Sequence, residues 1–257
     1  MALPGSKKAL LWSAFFVFWL MAAPALAGHC AMPGVGEQVS SKLVIDGDTL
    51  DLVDGRRVRL IGVNAPEIGR RGSPSEPHAQ AARRELMRLA GKGGLRLLVG
   101  EERTDKYGRT LGHLFDARGA NLEAVLLQQG LGFAVGIAPN LRLLDCHLRH
   151  EHQARLAQRG IWTRNPVTAA AQLDAGGFRI LRGRVARLGR TGSHIWVDLD
   201  GPLALRLPIG LIKPADDVAW LGHEVEVRGW VVDRGAVRRE YKRYMLPVDD
   251  LRLMPRD

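Results

Sequence analysis

The sequence predicts a mainly β protein whose first half mixes strands with three helices and whose second half forms a small closed β-barrel. Three observations support this fold class. An Asp54-Gly55 dipeptide joins two apolar stretches, as in a tight β-hairpin. Apolar residues recur at helical spacing in later segments of the first half. From residue 178 onward, five short strand-like runs alternate with glycine-containing turns.

The N-terminal segment has the order of parts of a secretory signal peptide. Lys7 and Lys8 precede an apolar run over residues 9–23, and an Ala-Leu-Ala sequence ends at Ala27. The run is shorter than the roughly 20 apolar residues that a membrane-spanning helix needs. We therefore expect residues 1–27 to be a cleaved signal peptide, the protein to be periplasmic or secreted, and no stable membrane insertion after cleavage.

Composition narrows the class of protein. The 257 residues suffice for one large domain or two small ones, and 46% hydrophobic residues exclude general disorder. Without residues 1–27 the chain loses two of its 37 basic residues and none of its 27 acids, which leaves a net charge of about +8. Such a charge favours nucleic acid or an anionic membrane surface as a partner. Cys30 and Cys146 lie in the exported part, where a disulfide between them is a hypothesis.

Acidic residues flank the hairpin. Asp46 and Asp48 precede its first strand, and Glu67 follows its second strand after a proline. Arg59 interrupts an otherwise apolar strand, and a buried arginine needs an anion, either a carboxylate or a bound group. Asp48 could serve, in which case carboxylates and an arginine converge. The alternative is a half-exposed hairpin with solvated charges.

The other elements of the first half follow from periodicity and caps. In chain order we expect a strand over 38–45, a loop over 69–77, a helix after Pro77, a strand over 95–99, a charged turn over 105–108, and helices over 122–129 and about 140–159. Asn121 is the expected N-cap of the second helix. The third helix is expected to bury Leu144, Leu148, Ala154 and Leu156. Its histidines are His147, His150 and His152. The spacing of His147 and Glu151, or of His150 and Cys146, could indicate metal ligands on one helix face, but a basic helix with exposed histidines is the favoured interpretation.

The second half is expected to begin after a linker over residues 166–177. Strands over 178–188, 194–199, 204–209, 224–232 and 245–253, with one short helical stretch near 211–221, indicate an oligonucleotide-binding (OB) type barrel over 178–257. This half contains the cations Arg182, Arg184, Arg187, Arg190, Arg238, Arg239, Lys242 and Arg243 and the aromatic residues Trp196, Trp230, Tyr241 and Tyr244. They could form a surface for single-stranded nucleic acid, or be solvated side chains of a structural barrel.

Three sequence blocks resemble the staphylococcal nuclease (thermonuclease) family. They are VIDGDT at 44–49, RLIGVNAPE at 59–67 and TDKYGR at 104–109, and the likeness extends over about 38–162. The resemblance implies that residues 28–165 form a five-stranded OB-type nuclease barrel with three helices. It also implies calcium-dependent hydrolysis of phosphodiester bonds in DNA, RNA or both.

The resemblance implies a metal site of oxygen ligands. Asp48 matches the carboxylate ligand, Asn64 occupies the second side-chain position, Ala65 would lend its backbone carbonyl, and Asp46 lies close by. Calcium prefers such oxygen donors. The family has a second carboxylate where this chain has Asn64, so we expect weaker metal binding and a looser choice among divalent cations.

The resemblance also implies the catalytic residues. Glu67 matches the proposed general base, and Arg59 and Arg109 match two arginines that bind the phosphate, whose developing negative charge guanidiniums neutralise. Lys106 and Tyr107 match residues near the terminal phosphate of a bound nucleotide.

Two further points stay open at this stage. The base-stacking tyrosines of the family align with Gly136 and Ala138, so base contacts are lost or come from elsewhere. A nuclease fold that binds nucleic acid without cutting it is the main alternative function, and a calcium-stabilised envelope protein is a third. Retention of Glu67 and both arginines favours the enzyme, because a binder needs the cations and has no use for the base.

Overall fold

The structure, a computed structural model, describes residues 30–69, 72–236, 238 and 241–255. The expected signal peptide and Arg239 lie outside these residues. Within the described part of the chain, no helix combines the length and the apolar character needed to cross a bilayer.

The described residues of the first half form eight strands and three α-helices. They are β1 (Glu37–Val39), β2 (Ser41–Val44), β3 (Thr49–Leu52), β4 (Arg57–Leu60), β5 (Val63–Asn64), α1 (Ala79–Ala90), β6 (Leu95–Thr104), β7 (Thr110–Phe115), α2 (Leu122–Gln128), β8 (Phe133–Ala134) and α3 (Leu144–Leu156). The hairpin is confirmed: β3 and β4 pair antiparallel, and Gly55 has φ +92° in the turn between them.

Closure of the first barrel depends on one bent strand. The strand expected over 38–45 is β1 and β2, interrupted at Ser40. β1 pairs with β6 and β2 pairs with β3, so the order β1-β6-β7-β4-β3-β2 returns to its start and makes a five-stranded barrel. The fold class implied by the resemblance is confirmed for this half. Apolar residues of the strands fill the interior, with Leu50, Leu52 and Leu97 among them.

The helices cover the barrel as expected, except for α3. α1 buries Ala82, Leu86 and Leu89, and the side chain of Asn121 caps α2 by accepting a hydrogen bond from the N–H of Ala124 at 2.9 Å.

The prediction for α3 was wrong about the burial of Leu156 and about the exposure of two histidines. Leu156 is 73% exposed, whereas His147 and His150 are buried; His152 is exposed as expected. The buried face of α3 carries Leu144, His147, Glu151 and Ala154, so polar side chains occupy half of it and hide its periodicity. The space for His147 comes from Gly62, where a Cβ atom would lie 2.1 Å from Nδ1 of the imidazole.

The disulfide hypothesis is confirmed: Cys30 and Cys146 are bonded across 116 residues of sequence. His150 lies beside this disulfide. Because both sulfur atoms are used in the bond, Cys146 is not a thiolate ligand for a metal ion.

The second half is a five-stranded barrel with one added strand. Its elements are β9 (Val167–Ala169), β10 (Gly177–Arg190), β11 (His194–Leu199), β12 (Leu203–Pro208), β13 (Glu224–Asp233) and β14 (Tyr244–Pro247), with a short 3-10 helix at Pro214–Ala219. β10 pairs with β13 along its first half and with β11 along its second, while β12 and β14 complete the ring. This is the order of an OB-type barrel. β9 adds to β10 in parallel and lies within the segment expected to be a linker.

Many cations of the second barrel are paired with carboxylates. Arg182 contacts Glu226 at 3.1 Å, and Arg187 and Arg190 contact Asp198 and Asp217. Tyr244 is buried, so it is not available to stack on a base. Among the described residues, these members of the cationic and aromatic set are therefore engaged within the barrel, and binding of single-stranded nucleic acid by the set as a whole stays a prediction.

Candidate nuclease site

One large cleft brings the expected site residues together. It has a volume of about 1210 Å³ and lies at the open face of β3, β4 and the loops that follow. Eight of the nine expected site residues line it: Asp46, Asp48, Arg59, Asn64, Glu67, Lys106, Tyr107 and Arg109. The ninth, Ala65, is buried and is not among the lining residues.

The anion that pairs with Arg59 is the carboxylate of Asp48. The guanidinium forms an ion pair with Asp48 through Nη1, and Nη2 donates to Oδ1 of Asn64 at 3.1 Å. Burial, and next the neighbouring Arg109, lower the pKa of Arg59 to about 10. Arg59 therefore remains a cation at neutral pH, held between a carboxylate and an amide oxygen.

The loop before β3 positions Asp48 against Ala65. The N–H of Ala65 donates to Oδ2 of Asp48 at 2.7 Å, and the Thr49 hydroxyl donates to Oδ1 at 3.0 Å. Asp46 supports this loop, since its Oδ1 accepts from the N–H of Asp48 at 3.1 Å. Gly47 allows the close approach, because a Cβ atom there would lie 2.5 Å from that of Ala65.

A tight turn presents the second cationic group. The Asp105 carboxylate accepts hydrogen bonds from the N–H groups of Tyr107 and Arg109 and from Nε of Arg109, at 2.7–3.0 Å. Burial acts to raise the pKa of Asp105, but these hydrogen bonds from Arg109 and Tyr107 outweigh it and lower the pKa. The Tyr107 ring is 72% exposed and lies 5.1 Å from Nζ of Lys106 and 5.5 Å from the guanidinium of Arg109. Lys106, Tyr107 and Arg109 thus form one unit at the cleft.

Glu67 lies at the cleft edge, where hydrogen bonds to Glu76 hold its backbone. Its backbone N–H donates to Oε2 of Glu76 at 2.8 Å, and its carbonyl accepts from the N–H of Glu76 at 2.9 Å. The Glu67 side chain is exposed and lines the cleft, and its charge favours the cationic form of Arg59. Glu67 therefore shares the cleft with the arginines without a direct hydrogen bond to either.

The residues around Asp48 suit a hard divalent cation. Oxygen atoms of Asp48 and Asn64 both converge on the same positive charge, that of the Arg59 guanidinium, and Asp46 adjoins them. These carboxylate and amide oxygens are the ligand type that hard divalent cations prefer, and in this structure they contact the Arg59 guanidinium.

Two contributions to the cleft escaped the sequence reasoning. Asp105 organises the arginine turn, and an aspartate followed by glycine three positions later is a turn signal that could have singled it out. Trp230 of the second barrel lines the same cleft. The sequence placed Trp230 on a separate binding surface, and no local signal connects it with residues 48–109.

Fold and site together define a class: a hydrolytic nuclease built on a five-stranded barrel. Comparisons with known proteins agree. A sequence profile described as "Staphylococcal nuclease homologue" matches residues 57–164, which include seven of the expected site residues but neither Asp46 nor Asp48. The thermonuclease of Staphylococcus intermedius is 34% identical over 132 residues, covering 50% of this chain and 78% of that protein. The chain belongs to the staphylococcal nuclease family, whose members are metal-dependent nucleases.

Other relatives show how far the likeness extends. Endonuclease YncB of Bacillus subtilis (strain 168) is 30% identical over 126 residues, which cover 47% of this chain and 59% of that protein. Protein ParB of Escherichia coli is 35% identical over 161 residues, covering 56% of this chain and 84% of that protein. Each of these matches spans about half of the present chain.

Proposed function

We propose that the protein is an exported, calcium-dependent nuclease that hydrolyses phosphodiester bonds of DNA, RNA or both. One observation carries the proposal: a single cleft contains Arg59, Arg109 and Glu67 together with the oxygen ligands Asp48 and Asn64. These groups supply what the reaction needs, namely positive charge around the phosphate and a carboxylate to accept a proton.

The arginines act on the phosphate. A phosphodiester gathers negative charge on its non-bridging oxygens as water attacks, and two guanidiniums neutralise that charge. Arg59 is held by Asp48 in the structure, so it must exchange part of this contact for a phosphate oxygen. Arg109 is oriented by Asp105 and keeps its remaining N–H groups for the substrate. Lys106 and Tyr107, on the same turn, are positioned to contact a neighbouring phosphate.

Glu67 acts on water. Its carboxylate accepts a proton from the attacking water molecule while the new P–O bond forms. The ester P–O bond breaks on the other side of phosphorus, and the leaving oxygen takes up a proton from solvent. Glu67 is suited to this role because it lies at the cleft edge, open to water, on a backbone anchored to Glu76.

Asp48, Asn64 and the carbonyl of Ala65, with Asp46 close by, would hold the metal ion. A bound Ca²⁺ supplies further positive charge for the phosphate oxygens. Because position 64 of these proposed ligands is Asn and not Asp, the site has one carboxylate fewer. We therefore expect weak calcium binding and competition from other divalent cations.

Export to the periplasm or the medium is part of the proposal. The order of parts in residues 1–27 supports it, and so does the Cys30–Cys146 disulfide, since disulfides persist mainly in oxidising compartments. Mass spectrometry of the mature protein from culture medium or periplasm, measured without and with reduction, tests both the cleavage after Ala27 and the bond. Two free thiols in the unreduced protein would contradict the bond.

The central experiment incubates the mature protein with single-stranded DNA, duplex DNA and RNA, in calcium or in excess chelator. We expect cleavage that stops in chelator and falls by at least about 100-fold in Glu67→Gln, in line with loss of a general base. Glu101→Gln is the matched control, because Glu101 is also exposed but does not line the cleft. Retarded, intact nucleic acid would favour the binding protein instead, and no association at low salt would favour a structural role.

A further inference from the structure

The cleft wall includes one aromatic residue from the second barrel. Trp230 lies on β13, and it and Tyr107 are the two aromatic side chains among the described residues that line the cleft. Tyr107 already contacts Lys106 and Arg109. Trp230 keeps 37% of its surface exposed.

Trp230 is connected to the Asp48–Asn64 end of the site by a row of packed rings. Its indole lies 5.2 Å from the ring of Phe178, its neighbour across the β10–β13 pairing. The Phe178 ring lies 5.3 Å from that of Phe133, and Phe133 pairs with Asn64 between β8 and β5. Contiguous contacts therefore run from a proposed metal ligand to the tryptophan.

A buried ion pair fixes the strand that carries Trp230. Arg228, two residues earlier on β13, pairs with Glu151 of α3, and both side chains are at most 7% exposed. Glu151 also accepts from the N–H of Ala134 at 2.7 Å, next to Phe133. The second barrel is thus clamped to the first by a strand residue two positions before Trp230, and the indole has a defined position.

An exposed indole at this place has a chemical use. Exposed apolar area in a charged cleft is unfavourable by itself, yet a flat π surface beside a phosphate-binding site can stack on a nucleobase. Every nucleobase has a π face, but within a duplex that face is covered by its neighbours. The ligand that this geometry fits is therefore an unpaired base.

We propose that Trp230 is a stacking platform for an unpaired nucleobase of the strand whose phosphate lies between Arg59 and Arg109. This inference rests on the proposed function and makes its substrate class specific: single-stranded nucleic acid. It also assigns a role to the second barrel, which completes the substrate cleft with a side chain that the nuclease barrel does not supply.

The test measures binding in the Glu67→Gln background, so that the strand stays intact. The ligands are a fluorescein-labelled single-stranded oligodeoxynucleotide and a strand of equal length in which every residue is abasic, both at the same salt and calcium concentrations. We expect Trp230→Leu, which keeps an apolar side chain, to raise the Kd for the normal strand by about tenfold, the value of one lost stacking contact. For the abasic strand the increase should be less than about twofold, and Trp230→Phe should fall between wild type and Trp230→Leu.

Val232→Ala is the matched control, because Val232 is exposed on the same strand but does not line the cleft. Equal losses for the normal and abasic strands, or no loss for either, would overturn the proposal. If Trp230→Leu does not fold, the Trp230→Phe variant decides the question. The Kd for the abasic strand divided by the Kd for the normal strand must then be smaller in Trp230→Phe than in the protein with Trp230. Failure of the proposed function looks different, since the protein with Glu67 intact would then cut no nucleic acid, whatever residue 230 does to binding.

Discussion

Replacing Glu151 with glutamine should destabilise the protein by about 3 kcal/mol. Glu151 and Arg228 form an ion pair in which neither side chain is more than 7% exposed, and removal of one partner from such a pair costs about 3–5 kcal/mol. Two features of the structure place the cost of Glu151→Gln at the lower end of this range. A glutamine oxygen can still accept from the N–H of Ala134, and Glu226 remains 3.6 Å from Arg228.

A double-mutant cycle tests the cause of this loss. Arg228→Met leaves the Glu151 carboxylate buried, and we expect a cost of about 4 kcal/mol. The double variant removes both charges, so its cost should be smaller than the sum of the single costs by at least about 2 kcal/mol. Urea unfolding followed by circular dichroism and tryptophan fluorescence provides the free energies.

A second ion pair between the same parts of the chain is the control. Arg252 contacts Asp145 of α3 at 2.9 Å, with side chains 36% and 65% exposed. Asp145→Asn should cost less than about 1 kcal/mol, because water screens this pair and Arg252 keeps its contact with Asp250 at 2.7 Å. A cost below about 1 kcal/mol for Glu151→Gln, or strict additivity in the double variant, would refute the view that this pair clamps the two barrels.

Three other properties follow from the structure. Cys30→Ser combined with Cys146→Ser should lower the free energy of unfolding by about 5 kcal/mol in the chain-entropy model, since the bond closes a loop of 116 residues; urea unfolding of oxidised protein and variant measures this. Asn64→Asp should tighten calcium binding by roughly tenfold in calorimetric titration, because a second carboxylate joins the oxygen donors. Burial, and then the positive charge of neighbouring histidines, holds the pKa of His147 well below its usual value. Below about pH 6.5 this histidine therefore binds a proton in the unfolded chain but stays neutral in the folded protein. Its contribution to the free energy of unfolding is fully present above that pH and decreases by up to about 1.4 kcal/mol per pH unit below it. Unfolding free energies between pH 7.5 and 5 should show this slope, and His147→Gln should reduce it.

Each of these expectations has an outcome that contradicts it. A double serine variant as stable as the oxidised protein would mean that the disulfide does not constrain the unfolded chain. Unchanged or weaker calcium binding in Asn64→Asp would mean that position 64 is not a ligand. An acid slope of equal size in His147→Gln would assign the proton uptake to other groups, and His152→Gln, an exposed histidine of the same helix, provides the comparison.

Much of the site could be predicted because its signals are local. The hairpin requires the Asp54-Gly55 turn, and the ligands and arginines stand in short blocks whose order along the chain identified the family. The question of which anion meets Arg59 was also answerable, because Asp48 and Arg59 lie on opposite sides of one hairpin and pair across it.

Predictions failed where polar residues occupy buried positions. The buried face of α3 includes His147 and Glu151, each of which contacts a polar partner far away in sequence: Asn121 contacts Nε2 of His147 at 3.0 Å, and Arg228 contacts Glu151. A pattern that equates polar with exposed misassigns such positions, and it misassigned Leu156 as buried for the same reason.

The same limit applies to the cations of the second barrel. Arg182 and Arg187 are separated from the carboxylates that pair with them by 44 and 11 residues, and only strand pairing brings them together. Composition alone could not distinguish such paired arginines from a free nucleic-acid surface.

Sequence by itself determined the fold class and the family of this protein: two barrels, most of their strands and helices, and motif blocks whose acids and arginines are typical of a nuclease. Tertiary structure decided how the halves cooperate, since it places Trp230 in the cleft of the first barrel and pairs Arg228 with Glu151. The physical reason is the separation of the interacting residues along the chain. Turns, caps and motif blocks depend on neighbours in the chain, whereas a contact between residues 77 positions apart exists only once both barrels have folded and packed.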